Sequence, residues 1–556
     1  MVSVDTTVRG TVYQAIRRTA EAYPEHDFLC ILEETAAHYG IRPHTYSYSQ
    51  AVREIDELRA HYVAAGLGHG HRVGLLLENR PAMFFHWLAL NALGVSVVPI
   101  NPDWRSGELQ YLIDHAEICV AVVPPAREAD LVEAGRAASR QVVVTSPELG
   151  GLSRVHLAAP YGSREPDVNT ECALLYTSGT TGRPKGCVLA NEYFLWAGTW
   201  YAQAGGLCRV ELGRDRLLTP LPMSHMNAMA CSTMAMLLTG GCIVPLDRFH
   251  PSTWWESVRQ SRATIVHYLG VMPAMLLGAP PEAGRDSAHR VRFGFGAGVS
   301  PRLHAGFEAR FGFPLLEAWA MTETGAGAVV IANHEPRKVG SACFGRPQPL
   351  IDCKVVAEDG REVSAGSHGE LLVRSNAHNR RFGFFREYLK DAEATAAAWE
   401  GGYFHTGDIV YFDAEGDFHF VDRKKNVIRR SGENISAVEV ESVLLQHPGV
   451  ASVGVAAVPD EVRGDEVMAC VVPRDASLQA ATNESGRAAL ARELQEFCLQ
   501  RLAYYKAPGH VGFCDRLPLT PTEKIQRAQL KELAGHLLGS ADSVDLRSSK
   551  KRTAQA

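Results

Sequence analysis

Apolar side chains along this chain follow two patterns: short continuous runs, and longer stretches where they recur at helical intervals. Val12, Ile16, Ala20 and Tyr23 keep the helical interval, and residues 10–66 are expected to be largely helical. Within that span Ser47-Tyr48-Ser49-Gln50 has the form of a capping box and predicts a helix through Val52, Ile55 and Leu58. Residues 72–77 then read as a buried strand, 82–93 as a helix and 95–100 as the next strand. Similar apolar runs recur at 119–123, 141–144, 172–175, 217–222, 264–269 and 292–298. Strands apolar on both faces and separated by helices imply a parallel sheet covered on both sides. Residues 340–422 carry denser strand and turn signals, Gly369-Glu370-Leu371-Leu372-Val373-Arg374 among them. Beyond them, helices at 438–445 and 490–502 mix with strands at 450–458 and 466–472, the pattern of a small α+β domain. The expected fold is α/β: a large N-terminal domain over 1–424 with parallel sheets covered by helices plus a β-rich subdomain, then a small α+β domain over 425–535. Residues 536–556 are polar and expected to be disordered.

Composition narrows the class. The chain has 556 residues, too many for one core, with 46% hydrophobic and 21% charged residues, as in ordinary globular proteins. A net charge of −6 gives no footprint for nucleic acid, and no apolar run reaches the length of a membrane span. The N-terminus lacks the basic flank and apolar core of a secretory signal. The 12 cysteines are scattered without a C-x-x-C pair, which predicts reduced thiols and a cytoplasmic setting rather than a disulfide framework or structural zinc.

The most informative stretch is Tyr176-Thr177-Ser178-Gly179-Thr180-Thr181-Gly182-Arg183-Pro184-Lys185-Gly186. Past Tyr176 it has no bulky apolar side chain, so burial cannot be what folds it. Glycines let backbone N–H groups approach a ligand and form an anion-binding nest. Hydroxyls add donors, and Lys185 adds a mobile positive charge suited to phosphate. This is a candidate phosphate cradle. It is not the G-x-x-x-x-G-K-[ST] loop, because Gly186 rather than Ser or Thr follows Lys185. No G-x-S-x-G elbow is present, so a serine nucleophile is not indicated.

Nearly residue for residue, the stretch resembles the phosphate loop of the adenylate-forming superfamily: acyl- and aryl-CoA ligases, peptide-synthetase adenylation domains and luciferase. Further segments strengthen the likeness, and the Asp422–Ile428 segment is most similar to ligases of the crotonobetaine/carnitine-CoA type. The resemblance implies that Thr177, Ser178, Gly179, Thr180, Thr181, Gly182 and Lys185 cradle the phosphates of ATP. It sets Gly296, Ala297 and Gly298 beside adenine, with Glu317, Ala318, Trp319 and Thr322 completing the nucleotide pocket. Glu323 would hold Mg2+, Asp408 would accept from the ribose hydroxyls, and Arg423 would bind ribose or phosphate. His225 would lie beside the acyl carboxylate, Lys425 would be the hinge of a mobile C-terminal domain, and Gly432 and Glu433 would line the thiol entrance. Lys524 would be the catalytic lysine bridging the two anionic reactants, supported in catalysis by Lys185, Thr322 and Glu323.

The implied reaction has two halves: a carboxylic acid and ATP give acyl-AMP and pyrophosphate, then CoA displaces AMP. An adenylating enzyme with another acceptor (a carrier protein in trans, an amine, or nitrite activated for diazotisation) is the competing reading. The chain departs from the family pattern at Trp319 where tyrosine is usual, at Ala320 where glycine is usual and at Glu523 where glycine is usual.

Overall fold

The structure is a computed structural model, and it describes residues 8–149, 152, 164–177, 183–282, 284–299, 301–357, 359–423, 427–475, 484–518, 525 and 527–550. Its contacts divide the chain into two compact units. The first comprises Met1–Pro102, Leu112–Leu175 and Gly186–Asp422; the second comprises Asp103–Tyr111, Tyr176–Lys185 and Arg423–Ala556. The break at Asp422 falls just ahead of the expected boundary at 424, and two short segments from earlier in the chain group with the C-terminal part.

Two sheets with parallel cores dominate the first unit. In the eight-stranded sheet, Leu315–Trp319, Phe293–Ala297, Ile265–Leu269, Arg216–Thr219, Cys242–Pro245 and Asp27–Ile31 follow one another as parallel neighbours. Val330–Ile331 and His44–Ser47 close its two edges antiparallel. The six-stranded sheet runs in the order Val143–Thr145, Val120–Val122, Arg72–Leu75, Ser96–Pro99, Glu171–Thr177 and Lys185–Ala190. Helices Pro81–Asn91 and Asn191–Gln203 are buried nearly all round, which is why their sequences show no polar face. Asn191 Oδ1 accepts from the Asn91 amide at 2.8 Å and from the Val12 N–H at 3.0 Å, satisfying polar groups where these helices meet the first one. A five-stranded antiparallel sheet, Cys343–Gly345, Phe418–Arg423, Phe404–Phe412, Gly369–Ser375 and Ile351–Val356, is the β-rich subdomain.

The second unit carries its own sheet, with Gly464–Pro473 paired to Val450–Asp460 on one side and to His510–Phe513 on the other. Helices Ala437–Leu444, Glu484–Leu499 and Arg527–Leu537 complete it.

Two expectations need correction. Residues 10–66 are not largely helical, because strands Asp27–Ile31 and His44–Ser47 interrupt them. Asp27–Ile31 pairs antiparallel with His44–Ser47 and parallel with Cys242–Pro245, the latter more than two hundred residues away. The capping box at Ser47 and Gln50 is present, with both reciprocal hydrogen bonds made. After His225 the chain runs as a π-helix over Asn227–Ser232 and becomes α-helical over Thr233–Thr239. The tail expected to be disordered from 536 is folded as far as 550. Ser543–Asp545 adds an antiparallel edge strand to His510–Phe513, and the buried Lys550 ammonium donates to Glu466 Oε1 at 2.6 Å. A buried ion pair pins that segment instead of an apolar stripe, so its composition gives no sign of order.

Candidate active site

In the first unit the candidate residues gather past the C-terminal ends of three adjacent parallel strands, Ile265–Leu269, Phe293–Ala297 and Leu315–Trp319. Open α/β sheets bind ligands at that edge. Gly296 pairs with Tyr268 on one side and Glu317 on the other. A Cβ at 296 would lie 2.2 Å from the Tyr268 carbonyl oxygen, so no larger residue fits there. Gly298 has φ of 79°, the left-handed region that favours glycine, and it turns the chain sharply out of the strand. The turn is held from below by Glu317. Its buried carboxylate accepts from the Tyr268 hydroxyl at 2.7 Å, from Gly298 N–H at 2.9 Å and from Val299 N–H at 3.2 Å. Burial pushes the Glu317 carboxyl up while those three donors pull it down, and the upward direction prevails.

Trp319 ends the last of the three strands, and its indole N–H donates to Asp408 Oδ2 at 2.9 Å. Asp408 lies in strand Phe404–Phe412, directly after Gly407, whose φ of 67° accompanies a register shift against Gly369–Ser375. The Thr406 hydroxyl takes the Asp408 N–H at 3.0 Å and donates to the Leu371 carbonyl at 2.6 Å.

The next turn carries Thr322 and Glu323. The Tyr193 hydroxyl donates to the Thr322 carbonyl at 2.9 Å, and Phe385 N–H donates to the Glu323 carbonyl at 2.9 Å, so the turn is fixed from two sides. The Glu323 side chain is buried and accepts from the Tyr388 hydroxyl at 3.0 Å. Burial and the neighbouring Glu323 carboxylate push the Tyr388 phenol well above its ordinary range, so it stays a donor. A buried carboxylate already steadied through one oxygen suits a hard, oxygen-seeking cation such as Mg2+.

His225 stands at the head of the π-helix, its N–H on the Pro222 carbonyl at 3.0 Å and its carbonyl accepting from Met229 N–H at 3.1 Å. Behind it lies His267, fully buried, whose role the sequence does not announce. Nδ1 is 2.6 Å from Asn227 Oδ1 and 2.8 Å from Ser232 Oγ, and Nε2 is 3.1 Å from the Tyr201 hydroxyl. An amide oxygen only accepts, so Nδ1 carries the proton and Nε2 accepts from Tyr201. Burial pushes this imidazole down to about 3, so it is neutral at physiological pH. It stacks on Phe295 at 4.8 Å between centroids and pins both ends of the π-helix that His225 introduces.

In the second unit, Thr177 and Lys185 are the flanks of the glycine-rich stretch, and Ser178, Gly179, Thr180, Thr181 and Gly182 lie outside the described residues. Tyr111 braces these flanks. Its hydroxyl donates to the Pro184 carbonyl at 2.9 Å, and the Arg183 guanidinium sits 5.3 Å over its ring. Gly432 (φ 90°) and Ser431 (φ 50°) form a two-residue hairpin turn between Arg430 and Glu433. The Arg423 side chain, Lys425 and Lys524 lie outside the described residues.

A model of the AMP-binding enzyme family matches residues 16–389, and a model of the AMP-binding enzyme C-terminal domain matches residues 439–524. This chain belongs to the AMP-binding enzyme family. Among its relatives within that family, the sulfoacetate–CoA ligase of Cupriavidus necator is 33% identical over 497 residues, covering 88% of this chain and 92% of that protein. The crotonobetaine/carnitine–CoA ligase of Escherichia coli O8 is 29% identical over 502 residues, covering 87% and 93%. Among solved structures, the o-succinylbenzoate CoA synthetase of Bacillus subtilis shares the fold with a TM-score of 0.78 at 24% identity, covering 94% of this chain and 99% of that one.

In this AMP-binding enzyme the first unit brings together Gly296, Ala297, Gly298, Glu317, Ala318, Trp319, Thr322, Glu323 and Asp408 around the ends of two sheets. The Glu317 carboxylate serves the turn's own backbone. Two further groups were not singled out from the sequence: His267, hidden inside an ordinary apolar strand, and Tyr388, the partner of Glu323. No helix among the described residues is long and apolar enough to cross a membrane.

Proposed function

We propose that the strand-end site of the first unit is where a carboxylic acid meets ATP, with each residue in the role its geometry suits. The protein is an ATP-dependent, AMP-forming acid–thiol ligase whose substrates are a small carboxylic acid, ATP and CoA, with Mg2+ as the metal. The observation that carries the site assignment is the convergence of the Gly296–Gly298 turn, the Trp319–Asp408 pair and Glu323 beyond three neighbouring parallel strands.

The chemistry needs charge control before bond making, because carboxylate and triphosphate repel one another. One carboxylate oxygen attacks the α-phosphorus, the bond from that phosphorus to the bridging oxygen breaks, and pyrophosphate leaves. In the second half the CoA sulfur attacks the acyl carbon, AMP departs and the thiol proton passes to solvent. Within this reading Glu323 holds Mg2+, which supplies charge neutralisation at the phosphates when bound. The family resemblance would give Lys185 the departing phosphates and Lys524 the charge that bridges the two reactants. Asp408 receives the ribose hydroxyls, and the Gly296–Gly298 backbone flanks adenine, a position that tolerates no side chain at 296. His225 sits beside the acid's carboxylate, steadied by the helix that His267 pins. A cytoplasmic setting belongs to the same reading, motivated by 12 cysteines scattered without a C-x-x-C pair.

The relatives' names mention acids with a second charged group, so a panel of short acids with a charged far end is the place to begin. The deciding experiment measures ATP–pyrophosphate exchange and the fate of ATP with that panel, Mg2+ and CoA. AMP, pyrophosphate and an acyl-CoA of matching mass are expected. Release of ADP and orthophosphate would overturn the reading, and AMP release that does not require CoA would point to another acceptor.

A further inference from the structure

The tryptophan at 319 is one of the places where this chain departs from its family's usual residue, and the structure gives it a partner. Its ring is 6% exposed and its N–H donates to Asp408 Oδ2 at 2.9 Å across a gap of 89 residues in sequence. Asp408 is 1% exposed, so the bond is shielded from competing water. An indole N–H is a donor only, which leaves the carboxylate no choice of role and fixes one of its oxygens in space. On its other side the ring packs in a tilted contact with Phe344, 6.3 Å between centroids, which limits its rotation. The Asp408 backbone N–H is taken up by Thr406 Oγ1, so the main chain there is fixed as well.

We propose that Trp319 is a positioning residue for sugar recognition: its indole N–H orients Asp408, and discrimination between ribose and deoxyribose in the nucleotide depends on it. This rests on the reading that Asp408 receives the ribose hydroxyls. A carboxylate pinned through one oxygen presents its acceptor directions at fixed angles, and a vicinal diol is matched only by such a fixed pair. A phenylalanine ring has no donor, and a tyrosine carries its hydroxyl on the ring axis rather than at the ring edge. Residue 319 therefore selects how Asp408 is aimed without touching the reacting atoms.

The test compares kcat/KM for ATP and for 2′-deoxy-ATP, by pyrophosphate release with a working acid, in the full-length enzyme. Three variants serve: Trp319→Phe, the isosteric replacement of Trp319 by benzothienylalanine (which puts sulfur in place of N–H), and Asp408→Ala. Losing an orienting hydrogen bond to a carboxylate is expected to reduce the ATP preference about tenfold in both Trp319 variants, with the KM of the acid unchanged. Benzothienylalanine keeps the shape and packing of the ring and removes only the N–H, so a folded protein with a Tm lowered by the loss of one buried bond is expected, which keeps the test valid if Trp319→Phe folds poorly. Equal losses for both nucleotides, or an unchanged preference in the isostere, would overturn the proposal. If Asp408→Ala itself leaves the preference intact, the assignment of Asp408 to ribose fails. Collapse in Asp408→Ala with no change in the isostere removes only the role of Trp319.

Discussion

Replacing Glu317 should loosen the adenine-flanking turn by an amount the structure allows one to work out. Its carboxylate accepts from Tyr268, Gly298 and Val299 at 2.7, 2.9 and 3.2 Å. Alanine at 317 leaves all three donors without their acceptor. Gly298 is exposed, so its N–H finds water; Tyr268 is 2% exposed and Val299 is 4% exposed, so theirs do not. Two stranded buried donors at about 1–3 kcal/mol each put the cost of Glu317→Ala at about 4 kcal/mol. Glutamine keeps one acceptor oxygen for the backbone. With that oxygen at the Oε1 position it still accepts from Tyr268 and Val299, and the NH2 turns toward Gly298, whose exposed N–H finds water, so Glu317→Gln should cost about 1 kcal/mol. Urea unfolding of the first transition, compared at constant slope, measures both numbers. The KM for ATP should rise in both variants, more in alanine, while the KM for the acid stays put. An alanine variant as stable as the glutamine one, or an unchanged KM for ATP in both, would refute the assignment of Glu317 as the anchor of that turn.

Other consequences follow from other buried charges. Burial works against the Glu308 carboxylate, but the Arg337 fork at 2.7 and 2.8 Å, His304 and Leu315 N–H outweigh it and hold the carboxyl down at about 2. A carboxyl depressed in the folded state contributes stability above about pH 4.5 that is lost as pH falls toward 2, about 2–3 kcal/mol here. Denaturation at pH 5, 4 and 3 should therefore show a shallower acid loss in Arg337→Met than in wild type. In the second unit the Lys506 ammonium sits 2.5 Å from Glu108 and 2.9 Å from Glu439, all three buried. Lys506→Met leaves two carboxylates facing each other at a cost of about 3–5 kcal/mol, and lowering pH from 8 to 6 should raise the Tm of the variant but not of the wild type. From the family resemblance, Lys524→Ala should abolish acyl-AMP formation yet leave thioester formation from supplied acyl-AMP largely intact. Equal loss of both halves would contradict that division.

What could be read in advance tracks how local the cause is. The strands 95–100 and 264–269 were legible because burial on both faces makes most of their residues apolar, and the structure places them at Ser96–Pro99 and Ile265–Leu269. Asp27–Ile31 has almost the same apolar content but lies between helical patterns, and its pairing with His44–Ser47 on one side and Cys242–Pro245 on the other makes it a strand. The site divides in the same way. Motif residues such as Lys185, Glu323 and Asp408 stand in runs specific enough to be read from sequence. Their partners are not, because the Trp319–Asp408 bond, the Tyr388–Glu323 bond and the His267–Asn227 bond each join segments with no shared pattern. Glu317 shows the converse: it lies within a nucleotide motif, and its oxygens are given to the protein's own turn.

A departure from a family pattern is thus informative in a particular way. The sequence marks the position as unusual but leaves open whether the new side chain contacts ligand, fills space or holds a neighbour. At 319 the larger ring brings an off-axis donor, and that donor reaches a buried carboxylate already read as a nucleotide contact. At 320 the added methyl packs half-buried against the main core with no polar consequence. Of these two departures, only the one that changes a hydrogen bond can alter how nucleotides are chosen, and so position 319 is where comparison of ribose and deoxyribose substrates should be most revealing.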